Sequence, residues 1–232
     1  MCFSAHASFI VSTVLLTVGF LSVFKARTPA FRLFAIAPII LGIQQALEGF
    51  VWICLNRGDI ASKWFKLGVY GFQFFAAAFW PLWIPLVLYI MERHTKYKGT
   101  LALFSWIGLA MYIITLIAMW QHPATAVVVD HHIRYPFLAA PFHWLLSSLP
   151  AWQMIMIHYV VLATYMLLVI GSCFISTVPG MYIFGILFSL AYLAAVTGYS
   201  LTFASVWCFF GAVASIGVYG VIIYNNKLHA HR

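Results

Sequence analysis

Long runs of apolar residues, separated by short groups of charged or turn-forming residues, dominate this sequence. Seven runs are about 20 residues long, enough at 1.5 Å per residue for a helix to cross a ~30 Å hydrocarbon core. We therefore predict an all-α fold, a single transmembrane domain over residues 1–232 with seven helices. The predicted spans are 8–24, 33–55, 67–91, 100–120, 151–173, 180–201 and 204–224.

The last two spans are the hardest to separate. Residues 179–226 contain no Asp, Glu, Lys or Arg, so the break falls among the small and hydroxyl residues between Gly198 and Ser205. Six or eight helices are the alternatives to seven. The long connection 121–150 holds four of the nine histidines and four of the nine prolines, and we expect it to fold over the outer face of the bundle.

Composition supports a membrane protein. Hydrophobic residues make up 65% of the chain and charged residues 7%, against roughly 25% charged residues in soluble proteins. The net charge of +8 comes from short basic groups between apolar runs. Such groups set topology and contact lipid headgroups, so we expect the lipid bilayer as a partner and no nucleic acid.

The basic residues also predict an orientation. On the side of the C-terminus the predicted loops and tail carry eight Lys and Arg, and on the opposite side they carry four. Positive charge stays cytoplasmic, so the N-terminus is predicted outside and the C-terminus in the cytoplasm. The eight are Lys25, Arg27, Arg32, Arg93, Lys96, Lys98, Lys227 and Arg232.

Seven helices with an external N-terminus invite comparison with rhodopsins. A retinal Schiff base needs a lysine within a late helix, and the predicted spans from residue 100 onward contain none, which excludes retinal as a cofactor. Other cofactors stay open at this stage.

A polar face on the second helix is the strongest functional signal. Gln44, Gln45, Glu48 and Trp52 recur at spacings of three, four and seven residues, so they share one side of the helix. A carboxyl group inside a span is costly and marks a functional site by default. The alternative is that Glu48 only holds helices together through hydrogen bonds to the glutamines.

Other polar residues fall at a similar depth. His158 and Glu48 each lie seven residues from the outer end of their predicted spans, ~10 Å below the surface. Gln73, Tyr199 and Cys208 are predicted at comparable depths. If these faces converge, they form an outward-opening polar pocket that binds or transports a small molecule or ion, with Glu48 as the proton or cation partner and His158 as a pH-sensitive group.

The third helix is predicted to kink. Pro81 and Pro85 cannot donate hydrogen bonds to the carbonyls of Ala77 and Pro81, one turn earlier in each case. Freed carbonyls can contact a ligand, although kinks also serve packing alone.

Two further functions remain as alternatives. Cys2 and His6 lie one helical turn apart and supply a thiolate and an imidazole, so they are candidate metal ligands. An intramembrane enzyme would bring Cys2, as nucleophile or metal ligand, together with His6, Glu48 and His158. A structural membrane subunit would use its polar residues only for packing, within a complex or a homo-oligomer.

The opening Met1-Cys2-Phe3-Ser4-Ala5 and the later Gln44-Gln45 with Glu48 and Gly49 resemble an uncharacterised family of bacterial integral membrane proteins. The resemblance covers roughly the first 90 residues. It implies a bacterial membrane protein and brings no established activity. It draws attention to six residues: Cys2, Ser4, Gln44, Gln45, Glu48 and Trp52. We expect the protein to lie in the bacterial inner membrane.

Overall fold

The computed structural model describes residues 4–93, 95–139 and 149–230. Within these ranges the chain is predominantly helical, and seven helices are long and apolar enough to span a membrane. The predicted all-α architecture with seven helices is confirmed over the described ranges. The spans, numbered in chain order, are Ala5–Lys25, Pro29–Arg57, Lys63–Met91, Thr95–Gln121, Ala151–Ile175, Met181–Gly198 and Ser200–Lys227.

Four spans are built from shorter helical pieces. Span 2 contains helices Pro29–Ala35 and Ala37–Arg57. Span 3 contains Lys63–Gln73, the π-helical segment Phe74–Phe79, and Trp80–Met91. Span 5 contains Ala151–Met166, the π-helical segment Leu167–Gly171, and Ser172–Ile175. Span 7 starts with the 3-10 turn Ser200–Thr202 and continues as Phe203–Ala214 and then as the helix Gly217–Ala230, which extends past the end of the span.

Local capping explains where the first three spans begin. The side-chain oxygens of Ser4, Thr28 and Ser62 accept hydrogen bonds from backbone N–H groups three residues later. Such caps satisfy donors that a helix start leaves unpaired. At the end of span 2, Gly58 adopts a φ of 70°, the left-handed conformation that closes a helix and that glycine adopts most easily.

Spans 6 and 7 separate within the segment that the sequence indicated. The helix of span 6 ends at Gly198, Tyr199 has non-helical backbone angles, and the next α-helix begins at Phe203. The predicted boundaries of 201 and 204 were therefore late by three residues for span 6 and by one for the following α-helix. A 3-10 turn occupies this short connection.

Close backbone contacts hold the first two spans together. A side chain added at Gly42 would meet the backbone of Ser12 and the side chains of Leu15 and Leu16, and one at Gly49 would meet the ring of Phe9. Small residues at such contacts let membrane helices pack by van der Waals attraction. Span 7 packs against both, and span 3 packs against spans 2, 4 and 5. Large apolar side chains face outward along the bundle, among them Phe24, Trp106 and Trp120.

A β-hairpin follows span 4, a feature that the sequence pattern did not predict. Strand β1, Val127–Val129, pairs antiparallel with strand β2, His132–Arg134. Asp130 and His131 form the two-residue turn with positive φ, a geometry that matches the twist of a hairpin. Ile133 is fully buried against span 2 and span 3 residues, so this part of the connection covers one end of the bundle. We call this end of the bundle the hairpin end. The opposite end, which carries the loop 26–28, is called the basic end.

The proline-rich part of span 3 departs from α-helical geometry where a kink was expected. The π-helical segment Phe74–Phe79 immediately precedes Trp80 and Pro81. A Cβ atom at Gly108 of span 4 would meet the carbonyl oxygen of Pro81, so the two backbones approach closely there. The prolines thus coincide with both a helical irregularity and a tight interhelical contact.

Candidate functional site

Three polar side chains of span 2 are buried in the interior of the bundle. Gln44 and Gln45 have no exposed surface, and Glu48 is 2% exposed. Trp52, the fourth residue of the predicted face, is 6% exposed, so all four are buried as their helical spacing predicts. We call Gln44, Gln45 and Glu48 the amide–carboxyl cluster.

Neighbouring spans contribute hydrogen bonds to this cluster. The indole Nε1 of Trp80 donates to Gln44 Oε1 at 3.0 Å, and the hydroxyl of Ser205 donates to Glu48 Oε1 at 2.5 Å. Ser205 follows the short connection between spans 6 and 7, whose 3-10 turn orients this part of the chain. No cation forms an ion pair with Glu48 among the described residues. The buried carboxyl group therefore either carries a proton and is neutral, or is ionised and needs a bound cation.

Several buried polar atoms around the cluster lack a hydrogen-bond partner in the described chain. They are Nε2 of Gln44, both amide atoms of Gln45, Nε2 of Gln73 and the hydroxyl of Tyr135. The Gln45 side chain neighbours the Glu48 carboxyl, but the two make no hydrogen bond of ordinary geometry. Because each unsatisfied buried group costs ~1–3 kcal/mol, such a group normally bonds to water or to a ligand.

Gln73 reaches this region from span 3. Gly68 and Gly71 of span 3 pack against Leu47 and Val51 of span 2, and the two spans run antiparallel. This register puts Gln73, which is 1% exposed, at the level of Gln45. The predicted polar residues of the second and third helices therefore lie at one depth.

Tyr135 closes the site from the hairpin end. It follows strand β2, is 3% exposed and stacks on Phe72 with ring centroids 4.5 Å apart. Burial raises the pKa of the Tyr135 phenol well above its usual range, and the nearby Glu48 carboxyl and Cys208 thiol add to this shift. The phenol is therefore a neutral hydrogen-bonding group within electrostatic range of the carboxyl group.

A cavity of about 340 Å³ lies toward the hairpin end of the bundle, and none of the three cluster residues is among its walls. Its walls come from spans 3 to 7 and from the hairpin, and they are largely apolar. Cys208 lines the cavity and neighbours Gln44 of the cluster, and Tyr135 lines it within electrostatic range of the Glu48 carboxyl. The polar wall residues include Thr115, Tyr135, His158, Tyr165, Ser200, Thr202 and Cys208.

A second cavity of about 70 Å³ lies further toward the basic end, enclosed by spans 2, 3, 5, 6 and 7. Tyr165, Trp207 and Cys208 line both cavities and therefore separate them. The hydroxyl of Tyr165 donates to the carbonyl oxygen of Ala76 at 2.6 Å, within the π-helical segment of span 3. The irregular helix thus supplies an acceptor that fixes the residue between the cavities.

The remaining predicted site residues take different positions. His158 is half-buried and lines the larger cavity, yet no hydrogen bond joins it to Glu48 in the described ranges. Tyr199 packs edge-on against the ring of His132, with centroids 4.7 Å apart, and is not among the cavity walls. Trp52 belongs to an apolar cluster with Ile133 and Cys208. The predicted depths therefore grouped residues at a similar level of the bundle but did not show which of them are in contact.

The structure describes only part of the group of residues that the enzyme alternative requires. Cys2 lies outside the described residues. His6 is exposed in the first turn of span 1 and does not line the larger cavity. A search of the described residues finds no group of three or more His, Cys, Asp or Glu side chains that could hold a metal ion.

Three site residues escaped the sequence reasoning. Ser205, Tyr135 and Tyr165 are common residue types in membrane helices and loops, and neither spacing nor charge distinguishes them. Each gains its role from a partner far along the chain: Ser205 bonds Glu48, Tyr165 bonds Ala76, and Tyr135 stacks on Phe72. A polar residue near a predicted helix break was the one available signal for Ser205.

Comparison with known proteins identifies a family without an assigned activity. Neither the search of curated proteins nor the search of solved structures returns a significant match. The family of unknown function DUF6629 matches residues 1–231, essentially the whole chain. An uncharacterised family is what the resemblance at the N-terminus and second helix implied. The chain belongs to DUF6629.

Proposed function

We propose that this membrane protein binds a small molecule with an apolar body and a hydrogen-bonding end in the cavity at the hairpin end. The observation that carries this proposal is the cavity itself, whose apolar walls hold a few polar groups, among them the buried Tyr135 phenol that lacks a hydrogen-bond partner in the described chain. Ligand pockets typically combine apolar walls with a few convergent polar groups. The largely apolar wall favours such a molecule over a bare ion.

Glu48 would act as the proton or cation partner of the ligand. Ser205 donates to one of its oxygens, and Tyr135 and Gln45 are its neighbours. A carboxyl that exchanges a proton with the ligand makes ligand affinity depend on pH. Glu48→Gln keeps the shape and the hydrogen-bonding capacity of the side chain and removes this exchange, so its affinity should be independent of pH.

A cavity-filling variant tests whether the ligand occupies this space. Ala204 lines the cavity, and Ala194 is exposed on the outside of span 6. Small molecules released by organic extraction of purified wild-type protein, Ala204→Trp and Ala194→Trp would be compared by mass spectrometry. We expect one compound near stoichiometric amounts in the wild type and the Ala194 variant, and roughly tenfold less in Ala204→Trp, since tryptophan removes the space.

The same experiment can reject the proposal. Equal amounts of every extracted compound in the three proteins would show that nothing depends on the cavity. For a compound that passes this test, affinity would be measured between about pH 5 and about pH 8 in wild type and Glu48→Gln. Identical pH profiles would remove Glu48 from the role proposed here.

Transport is the second candidate function, and the two cavities in line favour it. Tyr165, Trp207 and Cys208 form the partition between them, and Cys208 neighbours the cluster. Movement of this partition would extend the binding space toward the basic end, as alternating access requires. Uptake of the extracted compound into proteoliposomes would support transport, and saturable binding without uptake would leave a receptor or carrier for a lipid-like compound.

We also propose the bacterial inner membrane as the location, with the N-terminus outside. The gathering of Lys25, Arg27, Arg32 and Lys227 at the basic end supports this orientation. A green fluorescent protein fused after Arg232 should fluoresce, because it folds in the cytoplasm. A dark fusion that is present in the membrane fraction would reverse the assignment.

A further inference from the structure

A cleft of about 490 Å³ opens at the basic end, far from the site described above. It is formed by the end of span 1, the beginning of span 2 and the end of span 7. Four of its lining residues are cations: Lys25, Arg27, Arg32 and Lys227. No ion pair involves any of the four within the described ranges. The cleft is therefore strongly positive.

The carboxylate side chains of the chain do not neutralise this charge. The sequence contains four of them. Asp59 and Asp130 lie at the hairpin end, and Glu48 lies inside the bundle. Glu92, at the basic end, accepts hydrogen bonds from Thr177 and Arg93. No side-chain carboxylate of the described residues therefore balances the cleft, which leaves room for an external anion.

Internal hydrogen bonds hold the shape of the cleft. The side-chain amide of Asn226 donates to the carbonyl oxygen of Lys25 at 2.9 Å and so ties the end of span 7 to the end of span 1. The guanidinium Nε of Arg32 donates to the carbonyl of Ala26 at 3.2 Å, which leaves its terminal nitrogens for other acceptors. Side-chain hydrogen bonds to backbone carbonyl groups thus fix the walls of the cleft, and the cationic groups lie around it.

We propose that this cleft binds the phosphate of an acidic phospholipid headgroup. Arginine and lysine are the residues that recognise phosphate, and basic clefts between helices at the cytoplasmic side suit acidic lipid headgroups. The apolar side of the cleft selects a lipid over a soluble phosphate compound. Phe24, which is 84% exposed, and Ile223 line it, and the acyl chains can lie along them.

Two matched variants test the proposal. The cleft variant Lys25→Gln/Arg27→Gln/Lys227→Gln removes three charges and keeps Arg32, whose bond to Ala26 supports the local fold. The control variant Arg57→Gln/Lys63→Gln/Lys66→Gln removes three charges at the hairpin end. Native mass spectrometry in neutral detergent would count bound phosphatidylglycerol and phosphatidylcholine. We expect a roughly tenfold preference for phosphatidylglycerol in wild type and control, and about equal binding in the cleft variant.

Competition with inorganic phosphate distinguishes a lipid headgroup from a free phosphate ion as the occupant of the cleft. At about 10 mM it should leave lipid binding nearly unchanged, because a free anion lacks the acyl-chain contacts. Displacement of the lipid by phosphate at that concentration would overturn the lipid as occupant. Equal loss of preference in both variants, or no preference in the wild type, would overturn the site itself.

A measurement on the unmodified protein covers the case in which charge removal alters folding or topology. A phosphatidylglycerol with a photoreactive group near its headgroup would be crosslinked to wild-type protein in vesicles. We expect the label on peptides that contain Phe24 and Ile223. Labelling spread evenly over lipid-facing peptides of both ends would contradict a specific cleft.

Discussion

Two buried glutamates, Glu92 and Glu48, differ in how many hydrogen bonds their carboxyl groups accept from the protein. Each is 2% exposed. Glu92 accepts hydrogen bonds from the backbone N–H groups of Arg93 and Thr177 and from two hydroxyl groups, the shortest at 2.6 Å. Glu48 accepts one hydrogen bond of ordinary geometry in the described chain, from Ser205, and both side-chain amide atoms of the neighbouring Gln45 are unpaired there.

The difference separates a structural carboxylate from a candidate binding group. Glu92 joins the connection after span 3 to the connection after span 5 and has its acceptor capacity filled. Glu48 has capacity left for a proton, a cation or a ligand. Burial alone therefore does not identify a functional carboxyl group. The number of donors around it does.

The largest expected effect is the loss of stability in Glu92→Gln. The amide would present an N–H₂ group to donors that now face a carboxylate oxygen, so charge-assisted hydrogen bonds would be lost. We expect the free energy of unfolding to fall by about 2–3 kcal/mol. Unfolding in mixed micelles of mild detergent and dodecyl sulfate would measure it.

Glu48→Gln is the matched control for this comparison, since it is the same substitution at the same degree of burial. It should change the free energy of unfolding by less than about 1 kcal/mol, because few protein hydrogen bonds depend on the charge. A greater loss at Glu48 than at Glu92 would reverse the roles assigned to the two residues.

Ser205→Ala should have the next largest effect. It removes the hydroxyl that donates to Glu48 and leaves that oxygen without its partner, at a cost of about 1–2 kcal/mol. Ser215→Ala is the control, because Ser215 is equally buried on the same span and its hydroxyl bonds only the nearby Ala212 carbonyl. A double variant with Glu48→Gln should show non-additive losses, and strict additivity would argue against coupling of Ser205 with Glu48.

The sequence predicted the helices well because hydrophobic length is a strong constraint in a bilayer. All seven runs became spans, and even the uncharged segment 179–226 divided near Tyr199. It did not predict the hairpin after span 4, because strands of three residues are too short for a periodic signal. Of the two π-helical segments, the prolines predicted an irregularity in the third span, whereas no feature of the sequence indicated the segment Leu167–Gly171.

Prediction of the site was limited in a different way. Helical spacing identified the buried face of Gln44, Gln45 and Glu48, since it depends on one helix alone. The partners Ser205 and Tyr135 depend on how separate helices are rotated and on where the hairpin packs. The sequence predicts how far along a span a residue lies. It does not predict which face of that helix turns toward a helix distant in sequence.

Tyr135 and Tyr165 allow a finer test of unfilled bonding capacity. Both are buried, but Tyr165 donates to the carbonyl of Ala76, whereas the hydroxyl of Tyr135 has no partner in the described chain. Tyr165→Phe should cost about 1 kcal/mol, and Tyr135→Phe should be within about 0.5 kcal/mol of the wild type. The measurement is unfolding of ligand-free protein in mixed micelles. Equal losses would show that the Tyr135 hydroxyl is bonded as firmly as that of Tyr165.

The smallest effect concerns the pH dependence of the hairpin, where His132 packs against Tyr199. Burial lowers the pKa of His132 below its usual 6.5, the neighbouring His131 lowers it further, and Asp130 opposes them. When the hairpin detaches, the imidazole regains its ordinary pKa, so the detached form binds a proton that the packed form does not. Packing is thus strongest above pH 6.5 and weakens as the pH falls through the ordinary histidine range.

Hydrogen exchange of the amides in Val127–Arg134 would measure this effect, after correction for the intrinsic pH dependence of exchange. Protection should fall by roughly two- to threefold between about pH 7.5 and about pH 5.5. His132→Phe keeps an aromatic ring against Tyr199 and cannot titrate, so its protection should stay constant over the same range. A wild-type profile as flat as that of the variant would show that the hairpin, which carries Tyr135 into the site, is held independently of His132.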